Sequence, residues 1–146
     1  MKKLNEMKLT LESRSVNEGF SRAVVAAFAA LLDPTVEELS DIKTAVSEAV
    51  TNAVVHGYRE QMGPIFLTAT LTDKPSVRVW VRDKGVGIVN IAEARRPLFT
   101  TMQGERAGLG FAVMESFMDR VHVRSAPGKG TTVTLEKTIG GRRHED

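Results

Sequence analysis

Cysteine is absent from the 146-residue chain. This excludes disulfides, thiolate nucleophiles and thiol metal ligands. Aromatics are scarce, with one Trp, one Tyr and six Phe, or 5% of the chain, so no stacking platform for single-stranded nucleic acid is visible. Neither charge sign dominates: 20 Lys and Arg stand against 18 Asp and Glu, for a net charge of +2. The one short basic cluster, Arg142–Arg143, is followed by His144, Glu145 and Asp146. Direct DNA binding is therefore not expected. No apolar run reaches membrane-spanning length, and the opening MKKLNEMKLT lacks the apolar core of a signal peptide. The expectation is a cytoplasmic protein without membrane attachment. Three nucleotide-site motifs are missing as well: the Walker A loop, G-x-G-x-x-G, and the H-R-D/D-F-G pair of protein kinases. Any nucleotide chemistry must use another architecture.

What is present is a chain with 42% apolar residues, enough to bury a core in one domain over residues 1–146. Met7, Leu9 and Leu11 alternate with polar residues and predict a strand. Ser15 and Glu18 have capping-box spacing ahead of a helix over about Val16 to Leu32, with Val16, Phe20, Val24, Phe28 and Leu31 as its stripe. Asp33–Pro34 ends it. Thr35 and Glu38 repeat the box before a second helix, whose stripe is Val36, Leu39, Ile42, Val46, Ala49 and Ala53. Gly57 is expected to close that helix in the left-handed conformation. Ile65–Leu71 and Ser76–Arg82 read as a strand pair joined by Thr72–Pro75. Periodicity then vanishes from about Asp83 to Gly108, apart from a short helix around Ile91–Arg95; so long an irregular stretch in a small domain is usually functional. Helical spacing resumes through Leu109, Val113 and Phe117. Arg120–Ser125 and Thr131–Thr138 form a last strand pair. The order lacks strict β-α alternation, which points to an α+β two-layer sandwich: a mixed, mainly antiparallel sheet with helices on one face.

Three stretches carry chemistry. In EAVTNAVVHGY, the groups of Glu48, Asn52 and His56 recur every four residues and share one side of a helix. An Asn oxygen can hold Mg²⁺, and a carboxylate one turn earlier can act as general base. In DKGVGI, Asp83 at a strand end can accept from the exocyclic amine of adenine. Gly85 and Gly87 allow close backbone approach, and Ile88 offers an apolar wall. In GERAGLGF, glycines open a helix beside Arg106, a combination suited to phosphate.

In this order, with GKGTT before the last strand, the three stretches resemble the GHKL ATPase/kinase superfamily. Within it, SEAVTNAVVHGY and GLGFAVMESFMD resemble the anti-sigma serine kinases of spore-forming bacteria, over nearly the whole chain. The resemblance implies the Bergerat ATP-binding fold, ATP or ADP with Mg²⁺, and transfer of phosphate to a serine of an anti-anti-sigma protein. It implies a second partner, a sporulation sigma factor of the sigma-F type, and a homodimer. Carried over by position, Glu48 activates the serine and Asn52 holds Mg²⁺. Asp83, Gly85, Gly87, Ile88 and Thr131 surround the base, and His56 and Gly57 lie near the phosphates. Thr101, Arg106, Gly108, Leu109 and Gly110 belong to a lid, with Arg106 acting on the transferring phosphate. Arg22 falls on the partner-binding surface. A general-stress anti-sigma kinase shares most of these motifs, and a nucleotide-regulated binding module needs Asn52 and Asp83 but not Glu48. A detached histidine kinase needs a phosphoacceptor on a free helix, which none of His56, His122 and His144 provides.

Overall fold

The computed structural model describes residues 1–59, 61–88 and 110–140. Strand β1 (Lys3–Glu12) leads into helix α1 (Val16–Ala29), which tightens into a 3₁₀ turn over Ala30–Leu32. Helix α2 (Val36–Thr51) follows and widens into a π turn over Asn52–Gly57. Strands β2 (Pro64–Thr72) and β3 (Ser76–Asp83), helix α3 (Phe111–Phe117), and strands β4 (Arg120–Ser125) and β5 (Thr131–Thr138) complete the order. The sheet runs β1-β2-β3-β5-β4. All four of its ladders are antiparallel, so the sheet expected to be mainly antiparallel has no parallel pair among the described residues. Tight connections account for the β2–β3 and β4–β5 ladders, because parallel neighbours need long crossovers; β1–β2 and β3–β5 are antiparallel across longer connections. Among the described residues, no helix is long and apolar enough to cross a membrane.

The core lies between the sheet and the helices. Ile65, Leu67, Ala69, Val77, Val79, Val81, Val133 and Leu135 alternate inward and meet Val25, Ile42, Val46, Ala49 and Val50. Alternation also fixes the site. It turns Asp83 to the same face as Val77, Val79 and Val81, and the register pairs Asp83 with Thr131 and Thr131 with Ser125 across three strands. The opposite face carries an open groove lined by Phe66, Trp80, Arg82 and Thr132, where the Arg82 guanidinium stacks 4.4 Å from the Phe66 ring centre.

Several helix expectations change. The Thr35–Glu38 box forms, with the Thr35 hydroxyl accepting from Glu38 N–H at 3.1 Å and the Glu38 carboxylate accepting from Thr35 N–H at 2.8 Å. Ser15 makes no side-chain cap, because its backbone is already helical; Glu18 pairs instead with Arg22 at 2.9 Å. On α1 the buried residues are Ser21, Val25 and Ala29. Val16, Phe20 and Leu31 of the expected stripe are 75%, 52% and 65% exposed. On α3 Phe111 and Met114 are buried, while Val113 and Phe117 face out. The expected short helix at Ile91–Arg95 lies outside the described residues.

The two caps give a paired prediction. Thr35→Ala is expected to cost about 1 kcal/mol and Ser15→Ala a few tenths, measured by urea unfolding. Equal costs would show that the Thr35 box contributes nothing particular.

Candidate nucleotide site

Helix α2 does not end as a plain helix. Tyr58 N–H reaches back to Ala53 C=O at 3.0 Å, closing a wide turn with one extra residue. Gly57 is not left-handed; among residues 58 and 59 the positive φ falls on Arg59, at 52°. The need for glycine at 57 is spatial. A Cβ there would lie 2.8 Å from the Asp83 carboxylate. Gly57 C=O also accepts from Val86 N–H at 2.9 Å. Gly85 packs against that same carbonyl so closely that a Cβ would overlap it. Gly85 therefore serves backbone contact with Gly57 rather than access to a flat ring. Gly87 has φ 77° and sits against Ala126 C=O.

These contacts frame one cleft, lined by Asn52, His56, Gly57, Asp83, Gly87, Ile88 and Thr131 together with Ala49, Val81, Phe111 and Val133. Seven expected residues thus converge. The other four were missed, although Val81 and Val133 stand two residues from Asp83 and Thr131 on the same strand face. Glu48 is not in the lining. It stands beside the cleft against Gly110, whose φ is 74° and where a Cβ would collide with the Glu48 carboxylate. Thr101, Arg106, Gly108 and Leu109 lie outside the described residues. Arg22 is not in the lining; from α1 it donates to Glu18 and, at 3.2 Å, to Ser47 Oγ, next to Glu48 on α2.

Asp83 is 6% exposed. Burial pushes its carboxyl above the ordinary range, while Gly85 N–H and Thr131 N–H pull it back by supporting the charged form. Gly85 N–H donates to Oδ1 at 2.8 Å. Ser125 ties the other wall: its Oγ accepts from Ile88 N–H at 2.8 Å and donates to Gly130 C=O at 2.9 Å. That uses its one proton, so Thr131 Oγ1, 2.8 Å away, is the donor to Ser125 and keeps acceptor capacity for the cleft. Asn52 Nδ2 is buried without a hydrogen-bond partner among the described residues. Unpaired buried amides are rare in native proteins and point to a missing ligand or ion. Turning the amide about its last torsion presents Oδ1 instead, a hard oxygen suited to Mg²⁺. The residues fit an adenine nucleotide with its metal.

Residues 11–137 match the family model described as a histidine kinase-like ATPase domain. An anti-sigma F factor from Geobacillus thermodenitrificans is 55% identical over 136 residues, covering 92% of this chain and 93% of that protein. The chain belongs to the anti-sigma F factor family. A second member, from Thermoanaerobacter pseudethanolicus, is 53% identical over 141 residues, covering 96% of this chain and 98% of its own. Among solved structures, the RsbU and RsbW domains of a Mycobacterium tuberculosis protein superpose with TM-score 0.67 at 24% identity, covering 93% of this chain and 33% of that one. A histidine kinase domain from Erythrobacter litoralis superposes with TM-score 0.55 at 21% identity, covering 84% of this chain and 61% of that one. These two likenesses show the fold. An ATPase domain of this kind binds ATP or ADP.

Asp83 gives the site a pH signature of two signs. Its raised pKa means the unliganded fold holds the proton more tightly than the unfolded chain does. The stability it contributes is present at low pH and is lost as pH rises through the folded pKa. Accepting a base amine requires the opposite state, the ionised carboxylate. ADP affinity is therefore expected to fall on acidification, starting at higher pH than for an exposed Asp. Asp83→Asn is expected to weaken ADP binding at least ~10-fold and to leave thermal stability at neutral pH unchanged or higher. Calorimetric titration and melting curves measure both; tighter binding in the variant would contradict this role for Asp83.

Proposed function

We propose that this protein is a cytoplasmic anti-sigma factor that binds a sporulation sigma factor and, as an ATP-dependent serine kinase, phosphorylates its anti-anti-sigma antagonist. The observation that carries the kinase half is the placement of Glu48. It stands one α-helical turn before Asn52, at the rim of the cleft rather than within it. A pure nucleotide binder needs Asn52 and Asp83 but has no use for a carboxylate there. In this reading Asp83 and Thr131 take the adenine, Asn52 holds Mg²⁺, and Glu48 orients the serine hydroxyl and accepts its proton. The metal, when bound, offsets charge on the phosphates. By the resemblance, Thr101, Arg106, Gly108, Leu109 and Gly110 belong to the family's lid, with Arg106 acting on the transferring phosphate. His56 lines the same cleft, but Gly57 stands at its adenine end, against the Asp83 carboxylate, and not near the phosphates as expected.

The partner-binding half is supported by α1. Its outward Val16 and Phe20 are large apolar side chains left in water, and Arg22 stands on the same helix with its guanidinium partly exposed. Val16 and Phe20, four residues apart, share one side of the helix, and exposed apolar residues grouped in this way suit a protein interface. The homodimer in this reading uses the open sheet face around Phe66 and Trp80.

The test is transfer of label from ATP, with Mg²⁺ and the purified anti-anti-sigma protein, onto serine. Glu48→Ala is expected to lower transfer ~100-fold or more while keeping ADP affinity. Full transfer by Glu48→Ala would remove Glu48 from the mechanism. Arg22→Ala is expected to weaken the sigma complex and leave ADP affinity unchanged; an unchanged complex would move the partner surface away from Arg22.

A further inference from the structure

We infer that Tyr58 is a positioning residue for adenine recognition: it pins the turn after Asp83 to the end of α2, so that the carboxylate meets the base. The inference rests on the reading of Asp83 as the adenine acceptor.

Tyr58 is buried, and its hydroxyl has partners on both sides. It donates to Pro64 C=O at 2.5 Å and accepts from Lys84 N–H at 2.7 Å. Pro64 begins β2 and Lys84 follows Asp83 directly, so a single oxygen joins the start of one strand to the exit of the next. The same residue closes the π turn through its backbone N–H. Its neighbour Gly57 accepts from Val86 N–H. Consecutive residues at the end of α2 thus grip Lys84 and Val86, and between those grips lies Gly85, whose N–H holds Asp83 Oδ1. Gly63 packs on the Tyr58 ring so closely that a Cβ would overlap it, which fixes the ring plane. Burial raises the phenol pKa, with the Lys84 N–H acting against that rise. The hydroxyl therefore stays protonated and available to Pro64 across the working pH range. Phenylalanine fills the same space but leaves Lys84 N–H and Pro64 C=O without this partner.

Inosine triphosphate tests this directly, because it carries a carbonyl where adenine carries the amine. Affinities for ATP and inosine triphosphate are measured for the wild type, Tyr58→Phe and Gly63→Ala, each with a melting curve. The wild type is expected to prefer ATP. Tyr58→Phe is expected to weaken ATP binding about 10-fold and inosine triphosphate binding less than about two-fold, so the preference narrows. Gly63→Ala, which displaces the ring while keeping the hydroxyl, is expected to narrow it in the same direction. It carries the test alone if Tyr58→Phe does not fold. A preference unchanged in the folded variants, even with a lowered melting temperature, assigns Tyr58 a structural role only and overturns the inference. Equal affinity of the wild type for the two nucleotides would overturn the adenine reading itself.

Discussion

The site depends on one close approach, that of Gly57 to the Asp83 carboxylate. Two elements far apart in sequence, the end of α2 and the end of β3, meet there with no side chain between them. Strand alternation brings Asp83 in under the helices, in line with three buried valines. The π turn adds a residue to the end of α2 and carries Gly57 onto it. Gly57 C=O to Val86 N–H then locks the helix end to the turn, and Gly85 is needed so that this carbonyl has room. The lining from Asn52 to Thr131 follows from that junction.

The junction works against stability. A buried acid with a raised pKa favours the fold only when protonated, and Asn52 keeps a buried amide without a partner among the described residues. Outside the cleft, α1 and the 3₁₀ turn after it leave Val16, Phe20 and Leu31 in water. Each breaks a local rule, and for Asp83 the Gly85 and Thr131 N–H groups offset the cost of burial only in part. Such conflicts concentrate where a sequence is shaped by binding rather than by folding. A nucleotide with its metal would resolve the two in the cleft, and a protein partner the one on α1.

The sequence makes much of the fold legible, since period-two alternation is visible in β1, β2, β3 and β5 and the Thr35–Glu38 box marks the start of α2. It also reveals that Asn52, His56, Gly57, Asp83 and Thr131 belong together, through the order of their motifs. Other features are hidden for physical reasons. A π turn inserts one residue without disturbing the run of apolar side chains, so it has no periodic signature. On α1 Val16 and Phe20 point outward, while the core is met by Ser21, Val25 and Ala29 with Phe28 packed against it; helical spacing cannot tell a core stripe from a partner-facing one. Gly57 resembles a left-handed helix terminator, and only the position of Asp83 shows that space is what matters. Tyr58 closes the EAVTNAVVHGY stretch, yet that stretch does not show its importance, which lies in Pro64 and Lys84, brought to it by the fold alone.

The most direct test of this account is a crystal structure with Mg²⁺ and a slowly hydrolysed ATP analogue. The account predicts the adenine amine at Asp83, with Thr131 beside the base, the metal on Asn52 Oδ1, and Glu48 near the terminal phosphate without contact to adenine. A nucleotide seated elsewhere, such as the open groove beside Arg82 and Trp80, or one bound in the cleft with its base turned away from Asp83, would contradict it.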